Sequence, residues 1–173
     1  MDAATSAGAP AWSGAPAGPA DPKRWVALVI VSSALFISVR DNTILNVAVP
    51  TIIRELHTEV SSLQWVISGY SLVFASLLIS FGRLADVVGR RRLFFIGAAL
   101  FGVGSLIASL SHSVVQLFIG ESLLEGVGAA MMLPATLAIL SATFQGRERG
   151  VAFAVWGSAA GGAGALGPWI GGI

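Results

Sequence analysis

The sequence has no cysteine, a single tyrosine and little charge: only 11% of its 173 residues are Asp, Glu, Lys or Arg. Without cysteine there is no disulfide framework, thiol nucleophile or cysteine metal site. Soluble domains carry about 25% charged residues. A chain that is 55% hydrophobic, with a mean hydropathy of +0.82, belongs in a lipid bilayer instead. The net charge of +1 gives no ground for a nucleic-acid partner. Two histidines, His57 and His112, stand alone in connecting loops with no second ligand at helical spacing, so no metal site is expected. No nucleotide loop or nucleophile elbow is visible, and no enzyme chemistry is expected.

What is present is apolar length. Residues 63–81, 93–110 and 151–173 carry no charge at all, and each approaches or exceeds the roughly 20 residues a helix needs to cross the hydrocarbon core. Two further segments cross only by taking charges with them. Residues 25–39 are too short alone, and continuing to 49 brings Arg40 and Asp41 inside. Residues 114–140 span only with Glu121 and Glu125 inside. The expected architecture is therefore an all-α integral membrane protein with helices over 25–49, 63–81, 93–110, 114–140 and 151–173. Pro50 is expected to end the first helix and Pro134 to lie within the fourth. Residues 1–22, rich in Ala, Gly and Pro, read as a disordered tail with no signal-peptide core.

Charge placement orients these helices. Lys23 and Arg24 precede the first. Arg83, Arg90, Arg91 and Arg92 follow the second, and Arg147 and Arg149 follow the fourth. The opposite side holds only Arg54. Positive residues accumulate on the cytoplasmic side, so the N-terminus is expected in the cytoplasm.

The stretch GRLADVVGRRRLF (82–94) has glycines suited to a tight turn, with Asp86 beside four arginines. It resembles the loop between helices two and three of the major facilitator superfamily, G-x-L-A-D-x-x-G-R-[RK]-x. That resemblance implies a conformational latch formed by Gly82, Asp86, Gly89 and Arg90. RDNTILNVAVPT (40–51) is similar to the first-helix motif of the fourteen-helix drug:proton antiporters, matching at Asp41, Thr43, Asn46 and Pro50, with Arg40 in place of an apolar residue. WGSAAGGAGALGPWIGG (156–172) looks like their fifth-helix antiporter motif at Gly157, Gly161, Gly167, Pro168, Gly171 and Gly172. Small residues there also suit close helix packing. The fourth helix departs from the family's R-x-x-Q-G-x-G-A: Ser122 stands at the Arg position and Glu125 at the Gln position. A membrane-embedded cation is missing and two carboxyls appear. The run GAGALG (162–167) matches G-x-G-x-x-G literally but lacks the preceding strand and following acid of a dinucleotide site.

The residues themselves point to a polar path. On a helical wheel Ser38, Asp41, Asn42 and Asn46 share an arc of about 140°, while Arg40 lies about 100° aside. Such a stripe should face a water-filled cavity or other helices rather than lipid. Glu121 and Glu125 are four apart and share a face. At 1.5 Å per residue Asp41 lies about 12 Å deep, Glu121 about 10 Å and Glu125 about 16 Å. If helices one and four are neighbours, these carboxyls share a depth with Arg40. Two readings follow: a proton or substrate coupling site of Asp41, Arg40, Glu121 and Glu125, or a structural ion pair between Arg40 and one of the glutamates.

The resemblance implies a multidrug efflux antiporter driven by the proton gradient, with no bound cofactor, in the cell (plasma) membrane. Its partners are the lipid bilayer and, in the full-length protein, a small lipophilic or cationic substrate. Because the family needs twelve or fourteen helices, the chain is expected to be an N-terminal fragment that requires missing C-terminal helices. The alternatives are a symporter or uniporter of a metabolite, and a truncated membrane protein that transports nothing.

Overall fold

The computed structural model describes residues 22–171, the last five by backbone alone. Nearly all of the expected tail, and Gly172, lie outside the described residues. Five helices follow one another: α1 Arg24–Glu55, α2 Val60–Val88, α3 Arg90–Ser109, α4 Val114–Thr143 and α5 Gly146–Gly171. The first four are long and apolar enough to cross a membrane. The expected span at 151–173 extends past the described residues.

The helices run further than hydropathy alone suggested. Pro50 does not end α1, which continues to Glu55. A proline inside a helix costs about 3 kcal/mol, and tertiary packing offsets it here. Ile52, Ile53 and Leu56 lie against Leu63, Val66 and Leu117 of α2 and α4. The helix stops instead at His57, whose φ of 47° is left-handed. Thr58 N–H then donates to Ile53 O at 3.2 Å, closing the helix end.

Gly82 and Asp86 likewise do not lie in a turn; they belong to the last two turns of α2. The turn is Gly89 alone, at φ 104°. Its N–H donates to Ala85 O and its carbonyl accepts from Leu93 N–H, so one residue ends α2 and starts α3. Only glycine takes that φ without strain.

Packing divides the molecule into two bodies of contact. α1 lies along α5, and α4 packs on both α3 and α2. The α3–α4 contact is backbone against backbone. A Cβ added at Gly97 would stand 2.8 Å from Gly128 O, and one at Gly104 would stand 2.8 Å from Gly120 O. Such approach is how membrane helices gain van der Waals contact where lipid supplies no hydrophobic drive. Within the α1–α5 body, the Arg24 guanidinium at the start of α1 donates twice to the Glu148 carboxylate at the start of α5, at 2.7 and 3.0 Å. Beside that pair the Trp25 ring meets buried Phe144 edge-on, centroids 5.3 Å apart.

Candidate functional site

Within α4, residues Phe118–Glu125 wind as a π-helix. Wider turns of this kind are rare and recur at functional sites. Here the segment carries Gly120, Glu121, Ser122 and Glu125, all buried. Ser122 Oγ donates to Val66 O of α2 at 2.7 Å, pinning the wide turn to its neighbour. Gly104 of α3 leaves the space Glu125 occupies: a Cβ there would fall 2.8 Å from Glu125 Cγ.

The π turn aims both glutamates at α1. One carboxylate oxygen from each of Asp41, Glu121 and Glu125 lies within 4.8 Å of the others. Glu125 is fully buried and Glu121 is 4% exposed. Both Glu125 oxygens, Glu121 Oε1 and Asp41 Oδ2 are buried without a hydrogen-bond partner. Three carboxyls drawn from two helices, 80 and more positions apart in sequence, thus share one enclosed spot.

Arg40 does not join them. It is half-buried, its Nε has no partner, and it forms no ion pair with Glu121 or Glu125 among the described residues. The structural ion pair is therefore absent from this arrangement. The polar stripe also divides. Asp41 turns to the carboxyls. Ser38 and Asn42, with Thr43, line an adjacent cavity of about 320 Å³. Asn46 is exposed and donates to Asn42 O at 2.8 Å, outside that lining.

The cavity is walled by Tyr70 and Phe74 of α2, Met132 and Thr136 of α4, and Trp156 of α5, and no charged side chain lines it. Tyr70 and Phe74 lie nearly parallel, 3° apart with centroids at 6.1 Å. Aromatic faces, a thioether, hydroxyls and one amide suit a flat, partly polar organic molecule. Hydropathy reading passed over these walls, because Tyr70 and Trp156 sit in runs that look uniformly apolar. The one available signal was that Tyr70 is the only tyrosine of the chain.

The loop residues form a second, separate contact. Arg90 donates to Asp86 Oδ1 at 3.2 Å and to Ala138 O of α4 at 3.2 Å. The α2–α3 turn is thereby tied to the end of α4. In α5, Gly157 and Gly161 have nothing within 4 Å of where a Cβ would stand. Gly167, Pro168 and Gly171 continue the helical backbone. The GAGALG run lies wholly inside α5, with no strand before it.

The sequence profile described as Major Facilitator Superfamily matches residues 31–173, most of the chain. The chain belongs to the Major Facilitator Superfamily. Among its curated relatives, the puromycin resistance protein of Streptomyces alboniger is 42% identical over 165 residues, covering 95% of this chain and 32% of that protein. The multidrug efflux pump LfrA of Mycolicibacterium smegmatis is 38% identical over 161 residues, covering 92% and 32%. The riboflavin transporter RibZ of Clostridioides difficile is 36% identical over 151 residues, covering 87% and 33%. The chain thus spans about a third of the length of these superfamily members and matches drug-resistance and efflux proteins over nearly all of its own.

Proposed function

We propose that the full-length protein is a proton-coupled exporter of small lipophilic or cationic organic compounds, seated in the plasma membrane with its N-terminus in the cytoplasm. The carboxyl cluster carries this reading. Three negative charges within 4.8 Å, away from water and with no cation paired to them, repel strongly. Protons relieve that repulsion, and a site that takes and gives them as access alternates can drive exchange. The neutral aromatic cavity beside it suits a substrate held next to, but separate from, the proton site. The relatives' names support a drug-like cargo. Asp86 and Arg90 serve as the latch that holds helix ends together between states.

The test is transport by the full-length protein in inside-out vesicles from a host lacking its own exporters, with ethidium, puromycin and methyl viologen as cargo. Uptake driven by an imposed pH gradient is expected. Asp41→Asn should insert normally and lose at least 90% of that uptake. Normal uptake by Asp41→Asn, or uptake that follows a sodium gradient instead, sinks the reading. One observation favours a second reading, transport of a metabolite: the relative named as a riboflavin transporter. Movement of riboflavin, with none of the three drug-like compounds moved, would establish it.

A further inference from the structure

Tyr70 is buried, lies in the cavity wall, and has no part in the proton site as drawn so far. Its surroundings are unusual. It shares one cavity wall with Ser38 and Asn42 of α1, and its hydroxyl lies within electrostatic range of Glu125 and Glu121. The α2 backbone at this point also touches α4 next to the cluster: a Cβ at Gly126 would stand 3.4 Å from Tyr70 O. Asn42 follows Asp41 directly, and Gly126 follows Glu125. Tyr70 therefore borders both compartments.

We propose that Tyr70 is the positioning residue through which filling of the cavity changes the proton content of the carboxyl cluster. A tyrosine hydroxyl has one donor to direct. Ser38 and Asn42 are its polar neighbours along the cavity wall. A ligand bearing an acceptor at that wall draws the donor toward itself. In a low-dielectric interior the turned O–H dipole changes the field at neighbouring groups, here Glu125 and Glu121. No charged side chain lines the cavity, so polar groups such as this one must carry the message. The inference rests on the proton-coupled reading above.

The experiment uses the full-length protein in detergent, lightly buffered, with a pH-sensitive dye and puromycin as the probe. The readout is protons released per puromycin bound at saturation, a ratio independent of affinity. The parent should release protons. Tyr70→Phe should release less than about a quarter as many per molecule bound. Ser38→Ala, which alters the same wall without touching the ring, should release about half and serves if Tyr70→Phe does not fold. Undiminished release by either variant overturns the role of Tyr70 and leaves proton coupling standing. No release by the parent removes proton coupling itself, and the role of Tyr70 with it.

Discussion

Two stretches of this chain are rich in glycine, and they have opposite fates. Along the α3–α4 contact, Gly97, Gly104, Gly120 and Gly128 each sit where an added Cβ would come within 2.8 Å of a neighbouring atom. Along α5, Gly157, Gly161, Gly162 and Gly164 have no such neighbour within 4 Å. The first set lets two backbones touch and makes room for Glu125. The second set is a face that meets no close neighbour among the described residues. A small-residue stripe therefore has one appearance in sequence and at least two structural meanings. The α5 stripe drew attention because it matches a motif; of the α3–α4 set, which makes room for Glu125, only Gly128 falls on one, the glycine pair of the fourth-helix motif.

The comparison is broken most severely at Gly104. Gly104→Val would drive side-chain atoms into Glu125 Cγ, Glu125 N and Gly120 O. Backbone on two sides cannot yield, so the substitution should prevent assembly of α3 on α4. The check is size-exclusion chromatography of the detergent-extracted protein, where loss of the monodisperse peak is expected. A stable, well-folded Gly104→Val protein would contradict the packing described.

Gly89→Ala should do less. Nothing crowds a Cβ there, but φ is 104°. Holding a non-glycine residue in that region costs on the order of 1–3 kcal/mol. A melting midpoint lowered by several degrees, with the peak retained, is expected in a thermal unfolding scan; an unchanged midpoint would show that the turn relaxes without cost.

Gly161→Ala should do least. It meets open space and slightly favours the helix, by about 1 kcal/mol. The thermal midpoint should stay within a degree or two of the parent or rise. A large loss of stability in the full-length protein would show that segments beyond the described residues press on this face.

Much of the fold was legible beforehand because hydrocarbon imposes a simple rule. A spanning segment must satisfy its own backbone and exclude charge, so long apolar runs betray helices. The helix ends were less legible. Pro50 looked like a stop, yet Ile52, Ile53 and Leu56 had packing partners on α2 and α4 that no local rule could supply. Asp86 looked like a turn residue, yet one glycine sufficed for the turn. The site was half legible. Asp41, Glu121 and Glu125 stood out because ionisable residues inside a membrane are costly and usually functional. Arg40 stood out for the same reason, yet it lies about 100° aside on the wheel and makes no ion pair with the glutamates among the described residues. Tyr70, Met132 and Trp156 did not stand out at all, because lining a cavity is a property of where helices meet.

By itself, the sequence determined that this is a membrane protein with helices in a given order. It also put three carboxyls inside apolar segments and showed that the stretch around the α2–α3 turn carries the superfamily's mark. Those properties follow from composition, run length and local spacing, each readable one segment at a time. The tertiary structure decided that the carboxyls meet within 4.8 Å and that Arg40 stays out. It also decided that a neutral aromatic cavity opens beside them. Those outcomes depend on helix rotation and approach. Rotation and approach are set by which glycines let backbones touch and by the π turn that swings Glu121 and Glu125 toward α1, and such pairwise contacts leave no trace in either helix alone.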